Sequence, residues 1–473
     1  MKKTFSFLMA TVMLLSAEEV KSQPAAKKQN KPNIIYIMAD DLGYGDVGFN
    51  GQQKIKTPHL DLMAKEGMVF KRHYAGSSVC APSRASLMTG VNTAHGHVRE
   101  LSAWTASGNS IDLLTKEQTV AEELKRAGYT TGIIGKWGLD ESNTTGKAND
   151  QGFDFFFGYK THTEAHHYYP DYLWKNDEKV PLPDNDCEKK QGKFSNDMFT
   201  EEAISFIEKN KNAPFFLYLP YSLPHNEITV PQESKDPYEG LGWTKRPMKV
   251  GHYHHDAEGN TTYAGMVSRL DSYVGKIMAS LKANGLDDNT LVIFTSDHGP
   301  GFDRNFFDSN GPFKGRKLQL YEGGLRVPFV ARWPKKIKSG TLTNHASTFW
   351  DFLPTACEMA GIQPLLKIDG ISYLSTLLGQ DDKQKMHSSF YWEINETQGP
   401  VQAVIMGDWK GIKQYEKPFE LYNLKNDLKE ENNLATSHPE IVKKIESFMI
   451  ETRTESEEFP LTKRKPHYKG DNE

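Results

Sequence analysis

Five uninterrupted apolar runs constrain this chain most: residues 33–38, 131–134, 215–219, 291–295 and 327–331. Each is short, and none alternates polar with apolar residues. A strand with that pattern is covered on both faces, as in a sheet lying between helical layers. Helical patterns fall between the runs. Residues 119–127 open on Thr119, a capping residue, and stop before Gly128. Residues 263–281 set Met266, Leu270, Val274, Ile277 and Leu281 along one helical face. The expected fold is therefore α/β, a large mixed central sheet sandwiched by helices.

The pattern changes near Met386. Strand-like segments at 390–393, 402–406 and 409–413 are separated by Gly399, Pro400, Gly407 and Asp408, which read as the turns of a small antiparallel sheet. Residues 439–452 read as a closing helix, and the tail after Phe459 is polar. At 473 residues the chain exceeds one small core. The layout expected is a main domain over 32–385 and a smaller C-terminal subdomain over 386–473.

Lys2 and Lys3 precede an apolar run at 5–15, too short to span a bilayer and suited to a signal-peptide core. Small residues near Ser22 suit cleavage, giving a signal peptide over 1–22 and a polar linker over 23–31. No later run is long and apolar enough to cross a membrane. An exported protein is expected, periplasmic in a Gram-negative bacterium or extracellular. Its three cysteines, Cys80, Cys187 and Cys357, leave at least one without a disulfide partner, and the sequence leaves open whether Cys187 and Cys357 pair. With 57 basic and 61 acidic residues, the net charge of −4 gives no reason to expect a nucleic-acid partner.

The residues just past the strands are more informative. Asp40 and Asp41 come after the first run, Lys136 after the second, His225 after the third, and Asp297 and His298 after the fourth. Ligands of open α/β sheets bind at the carboxyl ends of strands. One polar ending is unremarkable; four suggest one assembled site. Asp40, Asp41, Asp297 and His298 form a candidate metal cluster, because three close carboxylates repel unless a cation or protons intervene. Oxygen-rich ligation favours calcium or magnesium. Taken singly, Asp40-Asp41 and Asp297-His298-Gly299 read equally well as turns.

Residues 77–90 (SSVCAPSRASLMTG) are the most specific stretch. Pro82 suits a first helical turn, so Cys80 is expected just before a helix N-terminus, where backbone N–H groups and the dipole favour an anion. Arg84 adds a planar donor fork for a tetrahedral oxyanion. A lone cysteine is more often a small buried apolar group.

Cys-Ala-Pro-Ser-Arg at 80–84 with the trailing Thr89-Gly90 resembles the signature of type I sulfatases, formylglycine-dependent members of the alkaline phosphatase superfamily. Asp40-Asp41-Leu42-Gly43-Tyr44-Gly45-Asp46, Gly135-Lys136-Trp137, Ser296-Asp297-His298-Gly299 and residues 311–328 (GPFKGRKLQLYEGGLRVP) resemble further blocks of that family in its usual order. The resemblance runs from about residue 32 to 435. It implies sulfate-ester hydrolysis after a sulfatase-maturating enzyme oxidises Cys80 to formylglycine, whose hydrate is the nucleophile. By the same resemblance, Asp40, Asp41, Asp297, His298 and the modified Cys80 contact calcium. Arg84 holds the hydrate, Lys136 and Lys314 grip sulfate oxygens, and His225 serves as general acid. A charge-rich transition state and a poor alkoxide leaving group need such cations, metal and proton donor. Glu322, Arg326 and the adjacent glycines are expected to build a turn.

One position departs from the family block Gly-Lys-Trp-His: Gly138 stands where a histidine is common. His162, His166 and His167 are candidates for the missing base, and substrate contact is an equal reading of them. Residues 152–174 resemble exported bacterial carbohydrate sulfatases. Aromatics there can stack on a ring, and His166, His167 and Asp171 can read hydroxyls. The expected substrate is a sulfated host or algal glycan carrying galactose or N-acetylgalactosamine sulfate. Two alternatives remain at this level: a phosphate or phosphonate ester hydrolase of the same superfamily, and a non-catalytic sulfated-glycan binding protein.

Overall fold

The computed structural model describes residues 31–463 apart from 102–104, 108–110, 142–144, 248–252, 255, 302–304 and 397–398. The expected signal peptide, the linker up to residue 30 and the end of the tail lie outside the described residues. Ten strands form the main sheet: β1 (Asn33–Ala39), β2 (Met68–Tyr74), β3 (Thr130–Lys136), β4 (Phe155–Tyr159), β5 (Tyr172–Lys175), β6 (Glu178–Pro181), β7 (Phe215–Pro220), β8 (Thr290–Ser296), β9 (Phe329–Arg332) and β10 (Thr341–Thr348). Their order is β10-β2-β9-β8-β1-β7-β3-β4-β5-β6. β1 pairs parallel with β7 and β8, and β3 pairs parallel with β7 and β4. β9 runs antiparallel to β2 and β8, and β5 and β6 complete one edge as an antiparallel pair. The sheet is mixed, as expected.

The absence of alternation in the apolar runs has a direct cause. Every residue of β1, β7 and β8 is buried. Ile35, Ile37 and Ala39 of β1 enter one hydrophobic core, while Ile34, Tyr36 and Met38 enter the other. Each fully buried large apolar side chain contributes about 1.5–3 kcal/mol, so both faces hold the strand in place. The helix Gly259–Ala283 packs Met266, Leu270, Val274, Ile277 and Leu281 into the first core. Helices Cys80–Thr89, Val120–Arg126 and Phe352–Ala360 cover the second. Thr119 caps Val120–Arg126 in a reciprocal box with Glu122, which fixes its start.

The second sheet is antiparallel in the order β11 (Ser389–Glu396), β12 (Gly399–Met406), β13 (Trp409–Gln414) and β14 (Glu420–Asn423), followed by the helix Pro439–Thr452. The fourth strand, β14, extends the expected three. This part shares a core with the main body: Tyr74, Val79 and Trp350 pack with Trp392, Ile394 and Ile405. The Trp392 indole donates to the Ala75 carbonyl at 2.9 Å. The small sheet thereby braces the segment that leads into Cys80.

Candidate active site

Because β1, β3, β7 and β8 run in one direction, their carboxyl ends share one edge of the sheet. Asp40 and Asp41, Lys136, His225, and Asp297 and His298 lie at those ends and are all buried. Cys80 arrives from the second core as the first residue of the helix Cys80–Thr89, with Val79 as its cap residue. It thus sits in the first turn itself, one residue inside the expected position. Its Sγ lies 3.2 Å from His298 Nε2 and 3.5 Å from Asp40 Oδ1.

Three buried carboxylates meet two buried cations, Arg84 and Lys136, and the half-buried Lys317 around this thiol. Arg84 donates through Nη2 to Asp297 Oδ2 at 3.0 Å and through Nη1 to the Lys136 carbonyl at 2.9 Å. Lys136 Nζ lies 2.7 Å from Asp40 Oδ2. Lys317 Nζ lies 2.9 Å from Asp41 Oδ1, 3.3 Å from His225 Nε2 and 3.7 Å from Cys80 Sγ. Burial raises the Asp40 pKa, yet Lys136, His225 and Arg84 together hold it well below the usual carboxylate range. Burial drives the Cys80 thiol well above its ordinary value. A thiol held protonated is a poor nucleophile.

The donor set suits a hard cation. Asp40, Cys80, Asp297 and His298 place their ligand atoms within 4.8 Å of one another, and Asp41 Oδ1 lies 3.2 Å from His298 Nε2. His298 Nδ1 faces the Gly299 carbonyl at 2.9 Å. A carbonyl can only accept, so the ring proton belongs on Nδ1 and the Nε2 lone pair points into the cluster. Asp41 adopts φ 65°, a left-handed conformation costly for a non-glycine residue, and is held there by its N–H donating to Asp297 Oδ1 at 3.0 Å. Arg84 Nε and His225 Nδ1 are buried without a hydrogen-bond partner among the described residues, two polar atoms left for a ligand.

Imidazoles form the adjoining wall. His166 stacks on His225 with ring centroids 5.5 Å apart, and Tyr253 packs against both. His162 brings a ring nitrogen within 4.8 Å of Cys80 Sγ and of a His225 nitrogen. Burial, Lys136, His166 and Lys317 lower its pKa well below the ordinary value, which keeps the ring neutral. Position 138 adjoins this site too. Gly138 has φ 69°, and a Cβ on it would sit 3.7 Å from Lys136 Cε and 3.9 Å from Arg84 Cδ.

Two expectations, for Lys314 and His167, need correction. Lys314 does not join the cluster: its Nζ lies 3.1 Å from the Glu430 carbonyl and 4.1 Å from the centre of the Tyr321 ring, against the small sheet. Lys317 takes the site position, because the chain bends at Gly315 (φ 87°) and Leu318 (φ 69°) and turns the later lysine inward. His167 leaves the site wall: it comes after the short 3-10 turn Glu164–His166 in extended conformation, so its ring faces Glu227 and not His225. Asp171 is exposed ahead of β5, three strands across the sheet from β7. Glu322 and Arg326 are structural as expected, paired at 2.7 Å. Cys80, Cys187 and Cys357 are all free thiols, so no Cys187–Cys357 bridge exists.

Comparison with known proteins agrees with this geometry. Residues 32–362 match the sulfatase family model, and residues 311–455 match that of the N-sulphoglucosamine sulphohydrolase C-terminal region. The chain belongs to the sulfatase family and is a sulfuric ester hydrolase. It is 28% identical to an N-acetylgalactosamine-6-O-sulfatase of Bacteroides thetaiotaomicron, covering 93% of this chain and 97% of that protein. It is 31% identical to the N-acetylgalactosamine-6-sulfatase of Mus musculus, over 82% of this chain and 72% of the relative. Among solved structures, Ps i-CgsB in complex with k-i-k-neocarrahexaose aligns with TM-score 0.74 and 29% identity, over 90% of this chain and 94% of that one. No helix among the described residues is long and apolar enough to cross a membrane.

Proposed function

We propose that this sulfatase removes sulfate from a sulfated carbohydrate bearing galactose or N-acetylgalactosamine sulfate, using formylglycine at position 80 and calcium. The observation that carries the reading is the buried Cys80 at a helix N-terminus, ringed by Arg84, Lys136 and Lys317 and faced by Asp40, Asp297 and His298 Nε2. Relatives named for N-acetylgalactosamine-6-sulfate support the choice of sugar. Asp40, Asp41, Asp297 and His298 would hold calcium, an oxygen-rich set with one nitrogen. When present, calcium supplies positive charge at the sulfate oxygens, and formylglycine supplies the attacking oxygen of its hydrate.

The remaining work falls to side chains. Arg84 orients the residue at position 80 through its fixed fork and uses its unpartnered Nε toward the anion. Lys136 and Lys317 carry charge to the sulfate oxygens, where a low-dielectric site makes each cation count for more than in water. His225 hands a proton to the departing sugar oxygen. His162 acts as proton acceptor at residue 80, replacing the histidine that Gly138 lacks. His166 and Tyr253 form the wall against which the sugar packs. A sulfatase-maturating enzyme installs the aldehyde, and export through an N-terminal signal peptide brings the protein to the periplasm or beyond.

A panel of defined sulfated monosaccharides and oligosaccharides, with matched phosphate esters, tests the reading. Release of sulfate from a galactose or N-acetylgalactosamine sulfate, far faster than phosphate from the matched ester, is expected. Activity confined to small aryl sulfates would remove the glycan assignment.

A further inference from the structure

A second group of ligating side chains lies behind the imidazole wall. His167, Cys187, Glu227 and His254 place their ligand atoms within 4.8 Å of one another. Cys187 Sγ is 3.5 Å from His254 Nδ1, His254 Nδ1 is 3.1 Å from Glu227 Oε1, and His167 Nδ1 is 3.4 Å from Glu227 Oε2. Tetrahedral zinc, with bonds of about 2.0–2.3 Å to N, O and S, requires ligand atoms about 3.3–3.6 Å apart. The Cys187–His254 separation falls close to that spacing, and each Glu227 oxygen lies near it from one of the two imidazoles, before any ion is added. Glu227 is only 1% exposed, so its carboxylate is costly there without a cation or strong donors.

The ligand chemistry discriminates between ions. A thiolate, two imidazoles and one carboxylate suit zinc, whereas calcium takes oxygen ligands. The chain therefore holds two clusters of different character: an oxygen-rich one at Cys80 and a sulfur-and-nitrogen one at Cys187. Without a metal, Cys187 and then Glu227 raise the His167 pKa to about 10, so a trapped proton would supply the positive charge. That protonated cluster is the rival arrangement.

Position in the chain gives the cluster a task. His167 adjoins His166, Glu227 lies two residues after His225, and His254 adjoins Tyr253. His166, His225 and Tyr253 are the rings that pack together at the catalytic wall. Each therefore shares a short backbone stretch with one ligand of the second cluster. The loop carrying Cys187 supplies the fourth ligand.

We propose that His167, Cys187, Glu227 and His254 bind one zinc ion that staples four loops and so positions His166, His225 and Tyr253 at the substrate wall. None of the four touches the reacting atoms; they are positioning residues. The inference stands apart from calcium and formylglycine, because its ligands and its metal are different.

The test uses the full mature chain without a histidine tag, incubated with zinc, desalted, and assayed for zinc and calcium by elemental mass spectrometry. Stoichiometric zinc is expected, falling to background in Cys187→Ser and in His254→Asn while calcium content is unchanged. Cobalt loading in a Cys80→Ala background, which removes the other nearby thiol, should give a thiolate-to-cobalt charge-transfer band that Cys187→Ser abolishes. Zinc stripping of the unsubstituted enzyme should raise KM for a sulfated sugar severalfold more than it lowers kcat. Absence of retained zinc and of the cobalt band would overturn the site in favour of the protonated cluster. Zinc bound equally by the Cys187→Ser protein would also overturn it. Retained zinc whose removal leaves KM unchanged would overturn the stapling role.

Discussion

Two charge clusters in this molecule, each assembled from distant parts of the chain, have opposite characters. Around Cys80, Lys317 leans on Asp41 beside polar atoms, Arg84 Nε and His225 Nδ1, that have no hydrogen-bond partner among the described residues. At the small sheet, Lys410 sits fully buried between Glu322 Oε1 and Glu430 Oε1, each at 3.0 Å. Glu322 Oε2 meanwhile meets Arg326 at 2.7 Å and Tyr74 Oη at 3.1 Å. The second cluster pairs its charges with one another, Arg326 Nε alone among its nitrogens having no hydrogen-bond partner among the described residues, and it clamps the small sheet to the main body. The first holds donors in reserve. Buried charge alone does not mark a catalytic site; donors aimed at space beside a nucleophile do.

The contrast can be broken by substitution. Cys80→Ala should lower sulfate release by about 10⁴-fold or more with little change in Tm, since the nucleophile is lost and the fold is not. Lys317→Ala should cost about 10²–10³-fold in kcat/KM, the usual toll of removing one transition-state donor. Lys314→Ala, three residues earlier, should leave kcat/KM nearly unchanged and cost about 1 kcal/mol of stability through its lost ring contact and hydrogen bond. A reversal of these two lysines in steady-state kinetics would overturn the assignment of Lys317.

Lys410→Met should do the opposite of Cys80→Ala. Stranding Glu322 and Glu430 is expected to cost about 3–5 kcal/mol in denaturant unfolding, while kcat per folded molecule persists.

The smallest effect is pH-linked. Burial raises the Glu322 pKa, but Lys410 and Arg326 win and hold it down at about 2 from an ordinary 4.5. Its stabilising contribution is complete above the unfolded value and fades as pH falls from there toward 2. Acid unfolding followed by circular dichroism should flatten over that window in Glu322→Gln.

The readable parts of this molecule are those where one physical rule decides the residue type. β1, β7 and β8 announce themselves because burial on both faces admits only apolar residues. Asp40, Lys136 and Asp297 stand out because charge directly after such runs has few structural uses. β10 escapes notice: its sequence, TLTNHAST, is that of an edge strand with a partly exposed first half. The choice between Lys314 and Lys317 rests on backbone bends at Gly315 and Leu318 that no local pattern encodes, and resemblance points to the wrong lysine. His167, Cys187, Glu227 and His254 come from distant loops without the short spacings of a zinc motif, so only the folded chain unites them. His162 is visible in the sequence as one of several histidines, and its approach to Cys80 separates it from His166 and His167.

The central claim is that Cys80, once oxidised, is the nucleophile of sulfate hydrolysis. The most direct measurement is peptide mass spectrometry across residue 80, on protein matured in a host with a sulfatase-maturating enzyme and fractionated by activity. The account predicts that sulfate release tracks the fraction carrying an aldehyde at position 80, and that unoxidised chains are inert. Full hydrolytic activity in a fraction whose Cys80 is entirely an unmodified thiol would contradict it.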